Sequence, residues 1–335
     1  MLDQSHPQID FAIRTVRDVC RLARSVQASL PQSVMTKTDD SPVTIADFAI
    51  QAYVGCRLQN SFPTDFLVAE ESAAFLRSQE GCRTLTKVQE FLKQLGLDAT
   101  GDEILNGIDY GQAETASRFW TLDPIDGTQG FLHKRQYVVA LAFIERGRVQ
   151  IGVLGCPELN CRGGVQGGGP GCFMIAVRGQ GAWASPLDRV EDFRRLRVSD
   201  CFKPAQARLI HSLESNHTDQ TLVNDIIRCL GIKPPAILMD SQAKHGVVAA
   251  GAADLLFYFN SPNPADPWIK IWDQASGALI VEEAGGRVSD LQGRPLNFSK
   301  GYSLRENCGV LVTNGHLHDV VLRGLQKFCS RLAFT

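Results

Sequence analysis

The chain has 335 residues, 44% of them hydrophobic and 21% charged, with a formal net charge of −2. That composition supports a globular protein with a substantial core, either one large domain or two lobes sharing a cleft. It argues against three classes of protein. No basic run marks a nucleic-acid polymer as the partner, no stretch nears the roughly 18 apolar residues that cross a bilayer, and the ten cysteines contain no C-x-x-C pair of zinc-site spacing.

From the N-terminus, Ile9, Ile13, Val16, Val19, Cys20, Ala23 and Val26 recur at helical spacing. Residues 8–29 therefore read as an amphipathic helix of the fold rather than a signal peptide. The expected compartment is the cytoplasm, or an organelle stroma or matrix if a presequence precedes this sequence. Further helices are predicted over 44–60 and 84–95, and extended segments near 62–69, 118–122, 136–146 and 148–155. Arg146-Gly147-Arg148 joins the last two as a hairpin. CRGGVQGGGPGC (161–172) reads as a flexible surface loop, because it lacks the lysine and helix start of a P-loop. Cys156, Cys161 and Cys172 flank or end it. Buried thiols in a reducing compartment are the simpler reading, with a redox role as the alternative.

Beyond residue 185 strands and helices alternate. Strands are expected at Arg208–His211, Ile237–Met239, Leu255–Phe259 and Val310–Thr313. Helices are expected at Gln220–Leu230, Ser241–Ala250, Asp273–Ala284 and 316–330. The predicted fold is α+β and layered: a mixed-sheet lobe over 1–190, then a smaller α/β lobe over 191–335.

Acidic side chains stand at the ends of these elements: Asp47, Glu70 and Glu71, Asp123 and Asp126 in WTLDPIDGTQGF, and Asp273. Each has an ordinary explanation alone. Thr44-x-x-Asp47 resembles a capping box, Asp273 and Ser241 suit helix N-caps, Glu70-Glu71 suits a solvated strand end, and Asp-Pro-x-Asp-Gly suits a turn. Together they supply what a hard divalent cation requires, several carboxylates and a backbone carbonyl. Pro124 stiffens the kink, Gly127 lets the chain approach a ligand closely, and Thr128 opens a short helix suited to phosphate.

WTLDPIDGTQGF, AEES and WDQASGALIVEEAGG, in that order, resemble the three motifs of the lithium-sensitive, Mg²⁺-dependent inositol monophosphatase superfamily. The resemblance spans nearly the whole chain and implies the layered α-β-α-β-α sandwich of that group. FLHKRQYVVALAFIERGRVQIGVLGCPEL, HSLESNHTDQ and LMDSQAKHGVVAAG resemble its bisphosphate nucleotidase branch. That branch removes the 3′-phosphate of adenosine 3′,5′-bisphosphate, or of its 5′-sulfated relative. Carried over by position, Glu70, Asp123, the Ile125 carbonyl, Asp126 and Asp273 would hold two or three Mg²⁺ ions, with Glu71 binding through water. Asp47 and Thr128 match the pair that orients and deprotonates the attacking water. His217, Ser241 and Lys244 match nucleotide-holding positions, where the ordinary readings are a loop histidine, an N-cap and a solvated helix residue.

Three departures bear on substrate choice. Gln129 stands where the branch has lysine, Tyr258 stands where it has arginine, and SPNPADPWIK is longer than usual, with Lys270 as a substitute charge. The alternatives are an inositol phosphatase with the same metal site, or a silent nucleotide sensor. The expected partner is a small nucleotide bisphosphate, with neither membrane nor nucleic acid, for a monomer or homodimer.

Overall fold

The computed structural model describes residues 2–29, 35–36, 42–160, 170–189, 192–212, 220–233, 235–260 and 268–328. Helix α1 (Pro7–Ser29) buries the predicted stripe, including Ile9, Val16, Val19, Ala23 and Val26. Strands β1 (Met35–Thr36) and β2 (Pro42–Val43) form a small antiparallel ribbon. It leads to α2 (Ile45–Ser61), which is buried on nearly every side over its first three turns. Strand β3 (Phe66–Ala69) follows, then α3 (Cys82–Gln94) and α4 (Gly101–Asp109).

Next come β4 (Arg118–Asp126), the short helix α5 (Thr128–Leu132), β5 (Val138–Glu145), β6 (Arg148–Cys156), β7 (Cys172–Val177), β8 (Gly181–Pro186) and β9 (Arg194–Arg195). With β3 they form one seven-stranded sheet in sequential order. Only the β3–β4 pair is parallel, so the sheet is mixed as expected. The hairpin turn has Arg146 at φ 52° and Gly147 at φ 72°, the left-handed pair that a two-residue turn between twisted strands requires.

Side chains alternate across this sheet with period two. Trp120, Leu122, Val139, Leu141, Val153, Phe173 and Ile175 face α1 and α2. Phe119, Val138, Ala140, Ala142, Leu154, Met174 and Ala176 face the other way, into a second core built with the C-terminal elements.

Those elements are β10 (Ile210–His211), α6 (Gln220–Leu230), β11 (Ile237–Leu238), α7 (Ala243–Ala249), β12 (Leu255–Tyr258), α8 (Ala275–Glu283), β13 (Arg287–Ser289), β14 (Val310–Thr313) and α9 (His318–Leu325). A three-stranded antiparallel sheet has the order β12-β14-β13. Helices α7 and α8 lie between the two sheets. Leu255, Phe257 and Leu311 turn outward onto Val223 and Ile226 of α6 and Val321 and Leu325 of α9. The layers therefore run helix, sheet, helix, sheet, helix, the predicted sandwich.

The sequence reading did not predict α4, β7, β8 or β13. Strand β7 is buried at all six positions, so its sequence CFMIAV carries no alternation to read. Helix α4 does carry a signal, since Thr100 and Glu103 form a capping box at its start. Cys156 lies opposite Cys172 across β6 and β7, both thiols buried. Cys161 and most of the glycine-rich run lie outside the described residues.

Candidate active site

The site begins with a register. Parallel β3 and β4 pair Ala69 with Leu122, so the next residues, Glu70 just past β3 and Asp123 within β4, follow side by side. Two residues three apart on a regular strand would point to opposite faces. Here Asp123 pairs with Ala140 and Asp126 with Val138, so Pro124 and Ile125 together oppose one residue of β5. That bulge absorbs the extra residue and turns both aspartates to the face of Ala140 and Val138, where α7 and α8 pack. Proline suits the bulge because it has no N–H to offer the ladder.

Gly127 then takes φ 89° and reverses the chain into α5. A Cβ there would come within 3.1 Å of the Ser241 Cβ, so this turn is pressed against the start of α7. The Thr128 hydroxyl donates to the Ile125 carbonyl at 3.3 Å.

Two other segments reach the same place. The N–H of Gln242, just before α7, donates to Asp126 Oδ2 at 2.6 Å. Asp273 lies just ahead of α8. The helix N-cap is Gln274 rather than Asp273, and Asp273 is not the cap foreseen as its ordinary role. Ser241 is likewise no N-cap. It sits at φ 64°, one residue before the Gln242 cap, and its Oγ accepts from the Ala243 N–H at 3.3 Å.

The electrostatics are those of a crowded anion. Asp123 is buried and, among the described residues, its Oδ1 has no hydrogen-bond partner. Burial, then the charges of Glu70, Asp126, Asp273 and Asp47, hold its carboxyl well above the usual range. Asp273 is raised by burial and by Asp126 and Glu70, against a bond with Asp123 and the charge of Lys270. Burial pushes Asp126 up to about 6, against the opposing pull of Lys244 and the Gln242 N–H. Among the described residues no three His, Cys, Asp or Glu side chains close into a metal cage. The acids nevertheless share one field, and buried carboxylates that repel one another call for a multivalent cation with oxygen preference. An orphaned buried carboxylate oxygen within such a set fits Mg²⁺.

Asp47 is the N3 residue of the Thr44 capping box. Its Oδ2 accepts from the Thr44 N–H at 2.7 Å and from the Thr44 hydroxyl at 2.6 Å. The capping role is thus real, and the charge of Asp47 adds, as the last of several causes, to the raised Asp123 carboxyl. One turn later, fully buried Gln51 donates to the carbonyls of Glu71 at 2.5 Å and Ile108 at 2.8 Å, and accepts from the Glu71 N–H at 2.9 Å. It clamps the Glu70–Glu71 turn, a role sequence reasoning missed. Glu71 itself is buried.

Lys244 is also buried, not solvated, and its Nζ donates to Ser212 Oγ at 3.0 Å. It lies 5.1 Å from the ring centroid of Tyr258, on which His245 also stacks at 5.6 Å. Lys270 lies 4.9 Å from the ring of half-exposed Tyr302, which stacks on Trp272. His217 lies outside the described residues. Gln242 and Tyr302 went unnoticed in the sequence: Gln242 lies within LMDSQAKHGVVAAG, but an amide between Ser241 and Lys244 suggests no chemistry of its own, and Tyr302 stands in no motif.

A layered sandwich whose acids converge from three sheet- and helix-ends is the architecture of a metal-dependent phosphatase. The pattern that defines the inositol monophosphatase family matches residues 5–328, and the chain belongs to that family, which is generally Mg²⁺-dependent. Within it, the chain is 35% identical to a 3′(2′),5′-bisphosphate nucleotidase of Oryza sativa, covering 95% of this chain and 93% of the relative. It is 36% identical to the enzyme of the same name from Schizosaccharomyces pombe, covering 96% and 95%. The Thermotoga maritima IMPase structure shares the fold with a TM-score of 0.67 at 22% identity, covering 98% of this chain and all of that one.

Proposed function

We propose that the chain is a 3′(2′),5′-bisphosphate nucleotidase that hydrolyses the 3′-phosphate of adenosine 3′,5′-bisphosphate to AMP and phosphate, and accepts the 5′-sulfated analogue as well. The observation that carries the chemistry is the pooled, mutually repelling set of Asp123, Asp126, Asp273 and Glu70 around an unpartnered carboxylate oxygen. The substrate assignment is supported by the nucleotidases that match along nearly the full chain.

Glu70, Asp123, the Ile125 carbonyl, Asp126 and Asp273 would hold two or three Mg²⁺, with Glu71 reaching one through water. Bound there, Mg²⁺ supplies a Lewis acid and makes water acidic enough to ionise near neutral pH. The Thr128 hydroxyl orients the attacking water and, with Asp47, takes up its proton. The short Gly127 turn leaves room for the phosphate. Lys244 brings a buried positive charge toward the second phosphate, with Ser241, Tyr258 and His217 as the remaining nucleotide contacts. Water adds to phosphorus, the bond to the ribose oxygen breaks, and that oxygen leaves as the 3′-hydroxyl.

A panel reading released phosphate with Mg²⁺ tests this. The bisphosphate nucleotide is expected to turn over well ahead of inositol 1-phosphate. Faster turnover of the inositol ester would overturn the substrate assignment while leaving the metal chemistry in place.

A further inference from the structure

Gln242 occupies an unusual position. It is fully buried and makes hydrogen bonds at both ends. Its main-chain N–H holds Asp126 Oδ2 at 2.6 Å. Its side-chain Nε2 donates to the Trp272 carbonyl at 2.9 Å, and its Oε1 accepts from the Gly277 N–H at 3.1 Å. Trp272 precedes Asp273 and Gly277 is in the first turn of α8, so the amide brackets Asp273 from both sides along the chain.

The backbone around it is strained. Ser241 holds φ 64°, a left-handed region that costs a non-glycine residue and persists only when its surroundings enforce it. Ser241 is pressed against the Gly127 turn, next to Asp126. The Gln242 side chain makes no capping bond to α7; its amide is turned instead to Trp272 and Gly277, while the Ser241 hydroxyl takes the Ala243 N–H.

We infer that Gln242 is a positioning residue: its side-chain amide ties the strained Ser241–Gln242 turn to the segment bearing Asp273, so that its main-chain N–H holds Asp126 and Asp273 at the spacing an ion requires. The inference rests on the metal-centre reading above. It explains why an amide, able to donate and accept at once, stands fully buried between the two helices, bonded to the Trp272 carbonyl and the Gly277 N–H. It also identifies the element that couples an acid on β4 to an acid ahead of α8, although the two lie far apart in sequence.

The test is a titration with Mn²⁺ alone, followed by electron paramagnetic resonance, on wild type and Gln242→Met, with thermal unfolding of each. Methionine keeps the volume and removes both side-chain bonds. Asn314→Ala serves as the stability control, since it removes hydrogen bonds to Ser199 and Cys201 just past the end of β14. Loss of a group that holds a metal ligand typically weakens affinity by roughly 10–100-fold. Gln242→Met is expected to weaken Mn²⁺ binding by about that factor, while Asn314→Ala loses melting temperature and binds Mn²⁺ as wild type does. If Gln242→Met does not fold, Gln242→Asn, one methylene short, takes its place with the same expectation. Unchanged Mn²⁺ affinity in a folded Gln242 variant would overturn the inference. Absence of Mn²⁺ binding by wild type would instead overturn the metal-centre reading on which it stands.

Discussion

Asp126 joins the two halves of the site, since the Gln242 N–H ahead of α7 donates to its carboxylate at the end of β4. Burial pushes its carboxyl up to about 6, and Asp123 and Asp273 are raised as well. Below that pH an incoming cation must displace a proton, so binding is linked to proton release. Mn²⁺ affinity is therefore expected to weaken by roughly tenfold or more between pH 7.5 and 5. Calorimetry in buffers of different ionisation enthalpy checks this, and an affinity that ignores pH would contradict it.

His245 works in the opposite direction. Burial, with Lys244 beside it, holds the imidazole down to about 3, so the folded chain excludes a proton that the unfolded chain binds. With a depressed folded value, the stability from this group is complete above pH 6.5 and drains away as pH falls toward 3. The loss is at most about 1.4 kcal/mol per pH unit. His245→Asn should therefore lose less stability than wild type between pH 6.5 and 4 in urea unfolding. Parallel curves would show that the histidine is not excluded from protonation.

At the scale of elements, the contact between α7 and α8 sets the spacing of the acids. A Cβ at Gly277 would come within 2.5 Å of the His245 ring, so the helices approach as closely as they do only because that position lacks a side chain. Gly277→Ala is expected to cost about 1–3 kcal/mol of stability through overpacking and to lower turnover by separating Asp273 from Asp126. An active variant of wild-type stability would count against the close packing.

This scale also shows what the sequence could convey. The hairpin at Arg146–Gly147 was legible because its turn has local chemistry, and α1 because one face is apolar. The Asp-Pro-Ile-Asp-Gly run was legible as a site because two acids and a proline among apolar residues have few other uses. Gln51 and Gln242 were not legible. An amide has no chemistry of its own, and its role depends on which carbonyls the folded chain brings within reach. The caps expected at Ser241 and Asp273 were misread for a related reason. Both residues sit where the chain enters a helix, but the caps fall one residue later, at Gln242 and Gln274, even though Ser241 Oγ accepts from the Ala243 N–H.

At the scale of the molecule, the seven-stranded sheet and the small sheet share one core through α7 and α8. The acids on β4 proposed to hold metal are thereby joined by Asp273, roughly 150 residues later in the chain, which only this long-range packing brings near. None of the helices among the described residues is long and apolar enough to cross a membrane. The central claim is that these distant acids act as one Mg²⁺-dependent hydrolytic centre. The most direct measurement is the initial rate of phosphate release from adenosine 3′,5′-bisphosphate against Mg²⁺ concentration, for wild type and Asp123→Asn. The account predicts a saturable Mg²⁺ requirement in wild type and a rate loss of roughly a thousandfold or more, about 4 kcal/mol of transition-state stabilisation, in the variant. Comparable turnover by the two proteins at saturating Mg²⁺, or full wild-type activity in a metal chelator, would contradict it.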